Sequence, residues 1–218
     1  MKNRVKLSIV VLVFIISTAS FAQTFGVKAG LNASKMFMSV DNANGEIKMK
    51  PQLGFHIGPI VEFQINKTFS IESGLIFTTK KGFFEAEDGA ELERIDINTF
   101  YLDIPLAVKT NFNISNTKVF GTFGSYFGMG LSGNIKNEFI EGGETDSETR
   151  DIRFGSGDND HLKKFEFGLT AGVGIELKAF QIGITYNLGL SNLGVEDDTV
   201  LKNRVLGVWV AYLFGKKK

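Results

Sequence analysis

The chain carries 218 residues, with 24 Lys and Arg against 24 Asp and Glu, 43% hydrophobic residues, 21 Phe and no Cys. The missing Cys excludes a disulfide framework, a thiolate metal site, a Cys nucleophile and a lipid anchor on an N-terminal Cys. The balanced charge excludes the basic footprint of a nucleic-acid binder, and the length and apolar content fit one domain.

The chain opens on a leader. MKNRVKLS carries Lys2, Arg4 and Lys6 without an acid, IVVLVFII (9–16) is a short apolar run, and STASFA brings Ser20 and Ala22 at the spacing a signal peptidase reads. The run is too short to cross hydrocarbon about 30 Å thick, which takes about 20 residues. Cleavage is expected after Ala22, so that 1–22 is a secretory signal and 23–218 one domain, with 21 basic against 24 acidic residues and a net charge near −3.

Eight segments then alternate with the two-residue period of a strand. FGVKAGLNASK (25–35) sets Phe25, Val27, Ala29 and Leu31 against Gly26, Lys28, Gly30 and Asn32. QLGFHIGPIVEFQI (52–65) sets Leu53, Phe55, Ile57, Val61 and Phe63 against Gly54, His56, Gly58 and Glu62. FSIESGLIFTT (69–79) sets Phe69, Ile71, Leu75 and Phe77 against Glu72, Gly74 and Thr78. YLDIPLAVK (101–109) places Leu102, Ile104, Leu106 and Val108 between Tyr101, Asp103, Pro105, Ala107 and Lys109. KVFGTFGSYFGM (118–129) leaves its parity open. KFEFGLTAGVGIEL (164–177) is the clearest, with Phe165, Phe167, Leu169, Ala171, Val173, Ile175 and Leu177 opposite Lys164, Glu166, Gly168, Thr170, Gly172, Gly174 and Glu176. FQIGITYNL (180–188) continues it, and NRVLGVWVAYLF (203–214) closes the chain with both faces apolar. Residues 36–51, 80–96, 130–163 and 189–202 read as long polar loops; 66–68, 111–117 and 178–179 read as short turns.

An even number of strands of about ten residues, with turns and loops alternating in length, predicts an all-β, eight-stranded, antiparallel, up-and-down transmembrane β-barrel with short periplasmic turns and long extracellular loops. A soluble barrel would show the same alternation with its apolar face inward. Three features favour the membrane version. The non-aliphatic face is crowded with Gly, which suits a narrow interior and would only weaken a strand facing water. Phe63, Phe69, Phe112, Phe120, Phe180 and Phe214 mark one level, and Phe37, Phe77, Phe83 and Phe127 the other, as two aromatic girdles would. Backbone in hydrocarbon must pair with itself, which a closed ring achieves. Pro59 and Pro105 lie inside strands, where each removes a ladder donor and counts against the strand reading unless a bulge accommodates it.

The polar face then lines a lumen holding His56, Asp103, Glu166 and Glu176. If 66–68 makes a symmetric hairpin turn, Glu62 and Glu72 face each other, and like charges so placed call for cations. Lys28 and Lys109 flank them, which suggests a ladder Lys28–Glu62–Glu72–Lys109 that pairs the buried charge and plugs the barrel. GMGLSG (128–133) matches a dinucleotide fingerprint but opens no helix to hold a pyrophosphate. Asp158, Asp160 and His161 in GDNDH could offer oxygens to a hard cation but lack the rest of a calcium loop. The two His make no legible Ser/His/Asp constellation.

YLDIPLAVK resembles the "Y-x-x-I-P-L-x-x-K" strand of the PorT-like outer-membrane β-barrel proteins of Bacteroidetes-type bacteria. FEFGLTAGVGIEL resembles that family's Gly-alternating sixth strand, ITYNLGLSNLG (184–194) its "Y-x-x-G-L-x-N" segment, and LKNRVLGVWVAYLF (201–214) its closing strand. The closing aromatic is the residue that barrel assembly machinery reads, although here GKKK follows Phe214. The resemblance covers about residues 23–214 and implies fold and outer-membrane location; the family brings no catalytic residues, and some members are associated with protein secretion. The expected role is therefore non-enzymatic, structural or binding through the outer loops, with no cofactor and no bound metal. The expected partners are outer-membrane lipid, the assembly machinery and an envelope or extracellular protein. A small-solute channel and a soluble ligand-binding barrel stand as alternatives.

Overall fold

The computed structural model describes residues 23–40, 46–48, 50–88, 91–114, 117–141, 144–157, 159–196 and 199–215; the leader lies outside them. Eleven strands form one antiparallel sheet: β1 (Gln23–Val40), β2 (Glu46–Lys48), β3 (Lys50–Gln64), β4 (Phe69–Gly74), β5 (Ile76–Asp88), β6 (Glu91–Ile114), β7 (Thr117–Glu141), β8 (Glu144–Asp151), β9 (Phe165–Leu177), β10 (Phe180–Gly189) and β11 (Thr199–Leu213). Because β1 pairs both β3 and β11, the sheet closes. β4 and β5 act as one stave, while β2 and β8 hang on β1 and β7 beyond the ring, which leaves eight staves in up-and-down order.

Burial is inverted relative to a water-soluble protein. Phe25, Val27 and Leu31 of β1 are exposed, and so are Phe165, Phe167 and Val173 of β9. The alternate positions Asn32 and Ser34 of β1, and Glu166, Thr170 and Glu176 of β9, are buried. Lys80, Lys109, Gln181 and Glu166 are among the largest side chains with almost no accessible surface. An apolar belt around a polar lumen is the arrangement lipid selects, and the ring of staves closes on itself through β1.

Both prolines border one break. Leu75, between β4 and β5, lies across from Pro59 of β3, and the β4–β6 and β5–β6 ladders stop on either side of the Ile104–Pro105 stretch of β6. Neither proline can donate to the stave between them, so that stave loses its ladder there; Leu75 N still donates to Pro59 O (3.0 Å) and Ser73 Oγ to Pro105 O (2.8 Å). The register shifts lie elsewhere, between Pro51 and His56 and at Phe100–Tyr101, so Pro59 and Pro105 are accommodated by the ladder break and not by bulges.

All four expected loops contain strand; in the last, β11 already starts at Thr199. Residues 80–88 and 91–96 continue β5 and β6, 130–141 and 144–151 form the β7–β8 hairpin, and β1 runs to Val40. Beyond the apolar belt both faces of a hairpin are polar, so no hydrophobic period marks it.

The expected girdle residues fall mostly on the outer face. Phe69, Phe112, Phe180, Phe214 and Phe127 are exposed, and Phe63 partly so. Phe77 stacks on Phe100 and meets Phe55 at a tilt, Phe83 lies under Arg94, and Phe37 under Arg204. Phe120 is the exception: it is 1% exposed and points into the lumen. Its strand face carries Thr122, Gly124, Tyr126, Gly128 and Gly130, the small and polar face, and β7 therefore turns Phe120 inward.

Candidate functional site in the barrel lumen

Eight staves leave little room inside, and glycines make that room locally. A Cβ on Gly174 would stand 2.5 Å from Cζ of Phe120, one on Gly168 2.5 Å from Cε1 of Tyr126, and one on Gly183 2.6 Å from Cζ2 of Trp209. These three lumen rings thus lie on bare backbone, and the glycines of β9 and β10 are the complement of aromatics on β7 and β11.

Toward the short-turn half of the lumen, Ile60, Ile76, Phe120, Trp209, Ala211 and Leu213 form an apolar cluster. The first ionic layer lies against it. Glu62 and Glu72 are direct cross-strand partners. Lys28 reaches past Glu62 to bond Glu72 Oε1 at 2.5 Å, while Lys109 bonds Glu62 and lies 3.8 Å from Glu72 Oε2. The pairs therefore cross instead of following strand order. Gln181 Nε2 donates to Glu62 Oε1 and Glu176 Oε2, each at 2.8 Å, and Lys118 pairs with Glu176 at 3.2 Å. The ammonium groups of Lys28 and Lys109 also sit 4.1 and 4.0 Å from the ring centres of Trp209 and Phe120, so aromatic faces take the place of water. Trp209 Nε1–H is bonded to Thr185 Oγ1 at 2.7 Å.

A second layer lies toward the long-hairpin end and centres on Lys80, whose segment reads as a loop in the sequence but belongs to β5. Its ammonium bonds Asp103 Oδ1 at 2.9 Å and Glu166 Oε2 at 2.8 Å. Glu166 also accepts from Tyr126 OH (2.7 Å) and Asn203 Nδ2 (3.1 Å), so its second oxygen is satisfied without a second cation. Tyr101 and Tyr126 cover Lys80 from the sides. Between the layers is a cavity of about 80 Å³ whose lining includes Lys28, His56, Glu72, Asp103, Thr170 and Asn187; its size and polarity suit a few waters.

The far end is closed by chain. Met36, Ile152, Leu162, Leu193 and Leu201 form an apolar cap, joined by Met38, Phe84, Ile97, Ile135 and Phe154. Backbone bonds from Ile152 N to Gly133 O (2.8 Å), Lys163 N to Leu193 O (2.9 Å) and Leu193 N to Leu201 O (2.8 Å) tie the segment down. Phe154 meets Tyr101 edge-on at 5.9 Å and lies over Gly130, so the cap rests on the ring that covers Lys80.

The remaining sequence candidates have structural employment. Asp160 Oδ2 accepts from Gly157 N and His161 Nδ1 from Arg153 N, both shaping the cap loop; Asp158 lies outside the described residues. Lys80, Tyr126, Asn203, Gln181 and Trp209 are the lumen residues the sequence did not single out. The alternation of β9, continued across to its neighbours, was the signal available for Tyr126 and Gln181.

Residues 21–194 match the family described as "Outer membrane protein beta-barrel domain". No curated protein matches the chain. Among solved structures, the attachment invasion locus protein Ail of Yersinia pestis is 18% identical, with 88% of this chain and 98% of that one covered and a TM-score of 0.35. Neisserial surface protein A is 11% identical over 86% of this chain and 96% of that one, with a TM-score of 0.43. The N-terminal β-barrel domain of Pseudomonas aeruginosa OprF is 10% identical over 86% of this chain and 97% of that one, with a TM-score of 0.27.

Proposed function

This chain belongs to the outer membrane protein β-barrel domain family, and on that premise we propose that it is a non-conducting, non-enzymatic outer-membrane barrel that acts through its extracellular hairpins. One observation carries the reading: two ion-paired layers, with an apolar cluster packed beside the first, fill the lumen, and an apolar cap covers the long-hairpin end. The side chains that a pore would leave facing water are instead bonded to each other, and the ladder of Lys28, Glu62, Glu72 and Lys109 serves as a plug.

What projects beyond the belt is a pair of extended hairpins, β5–β6 and β7–β8, with an exposed stretch at 146–150. Their edges and polar surfaces suit recognition of an envelope or extracellular protein. The resemblance to PorT-like barrels supports a place in the cell envelope, linked in some of those proteins to secretion. In this reading the chain arrives by a cleaved leader, is inserted by the assembly machinery, and uses no cofactor.

Planar-bilayer recording tests the closed lumen. The purified barrel is expected to give no steady single-channel current; stable, repeated open levels would overturn the reading in favour of a small-solute channel. A photo-crosslinking side chain placed at Glu148 and irradiated in intact cells is expected to capture an envelope or extracellular protein. Irradiation that yields only uncrosslinked barrel would remove the hairpins as the acting surface.

A further inference from the structure

Several cations on the outer face of the hairpin end have carboxylate partners. Lys50 pairs with Glu85, Arg94 with Asp96 at 2.8 Å, and Lys136 with Glu138 at 2.6 Å. The seam where β1 meets β11 differs. There Lys35 stands directly opposite Arg204, and Lys202 opposite Phe37. Arg204 lies 5.1 Å from the Phe37 ring centre, and among the described residues no carboxylate pairs with Lys35, Lys202 or Arg204. Like charges facing each other across a ladder destabilise it unless something anionic lies between them.

The height of this seam identifies the anion. The outward residues of β11 run Tyr212, Val210, Val208 and Leu206, all exposed and apolar, before Arg204, and those of β1 run Phe25, Val27, Ala29, Leu31 and Ala33 before Lys35. From Phe214 to Arg204, ten residues at about 3.4 Å each, tilted by about 40°, climb about 26 Å, the height of an outer-membrane apolar belt. The three cations therefore emerge where the hydrocarbon of the outer leaflet ends and lipid headgroups begin. We propose that the outward face of the β1–β11 seam, through Lys35, Lys202 and Arg204, binds the phosphate of an anionic lipid of the outer leaflet. The exposed aliphatic residues just below, Leu31, Leu206 and Val208, supply the surface for its acyl chains. Arg204, held against the Phe37 ring, offers a planar donor pair to the phosphate.

The inference rests on the outer-membrane placement and not on a closed lumen, so lipid binding and conductance fail independently. Native mass spectrometry in a mild non-ionic detergent, with diphosphoryl lipid A as the probe, tests it. The wild-type barrel is expected to retain the lipid. The triple variant Lys35→Gln, Lys202→Gln, Arg204→Gln should bind about a hundredfold more weakly, from the loss of three cations near a charged surface. A variant of paired lysines, Lys50→Gln with Lys136→Gln, should bind within about twofold of wild type, because those cations already have carboxylate partners. Millimolar inorganic phosphate should not displace the lipid, since the site is built for a headgroup held in place by its chains. Equal binding by the triple variant, equal binding of a lipid A stripped of phosphate, or displacement by inorganic phosphate would each overturn the proposal. A second measurement covers a triple variant that does not fold. Lys35→Gln alone should melt no lower than wild type in lipid-free detergent, since it relieves the opposed charges, yet gain less from added lipid A. An undiminished gain would count against the site.

Discussion

Lys80 has no accessible surface and two carboxylates within hydrogen-bonding distance, Asp103 and Glu166. Such a cation matters less for what it adds than for what its removal leaves behind: two buried acids with no counterion. Lys80→Met is expected to destabilise the barrel by about 3–5 kcal/mol, the range for breaking a buried pair from one side. Trp209, the only tryptophan, is buried and bonded to Thr185, so urea unfolding in detergent followed by its fluorescence reads the change directly. A midpoint equal to wild type would mean that water, not Lys80, satisfies these acids. Lys80 was not legible in the sequence because it follows Thr78 and Thr79 and precedes Lys81 and Gly82, a polar run that reads as a turn. Glu62 and Glu72 were legible because a symmetric turn fixes who faces whom. The crossing of their lysine partners was not, since strand order says nothing about how far a Lys side chain reaches around a narrow lumen.

At the scale of elements, the sequence displays a strand only where one face meets lipid. β9 alternates over its whole length and could be placed residue by residue; the outer parts of β5, β6 and β7 have polar groups on both faces and could not. The same limit hides the cap, whose Ile152, Leu162, Leu193 and Leu201 are scattered through two segments that look like polar loops. They form a core only because 152–163 folds back over the lumen and bridges Gly194 through Leu162. Leu193, fully buried, is the joint between the two segments. Leu193→Asp places an unpaired carboxylate in that cluster, and the cap should open while the ring stays folded. Trypsin cleavage after Arg153 or Lys163 is expected to accelerate by at least about tenfold, as local opening becomes less costly. The band shift between heated and unheated barrel on a gel should persist. Loss of that shift would mean that the cap and the ring fold as one unit.

Over the whole molecule, the outward belt and the ion-paired lumen require each other. A belt of exposed Leu, Ile, Val and Phe is stable only in lipid, and lipid admits a sheet only if it is closed. A closed ring of eight staves then confines its polar residues to an interior too narrow for bulk water, so they must pair. The direction of insertion follows from connection lengths. Both ends of the ring chain, Gln23 and Leu213, lie at the end bearing the turns at 66–68 and 178–179, while the β5–β6 and β7–β8 hairpins leave from the other. An exported chain that inserts from the periplasm keeps its termini and short turns there and sends the hairpins outward. The chain has no Cys, so single introduced thiols give unambiguous labels. Glu148, exposed on β8, and Lys67, exposed in the first short turn, are far from the lumen ions. Glu148→Cys is expected to react with a membrane-impermeant maleimide on intact cells, and Lys67→Cys only after the outer membrane is permeabilised. The reverse pattern would invert the barrel and place the basic β1–β11 seam in the periplasmic leaflet. Labelling of both thiols on intact cells would remove the chain from the membrane altogether.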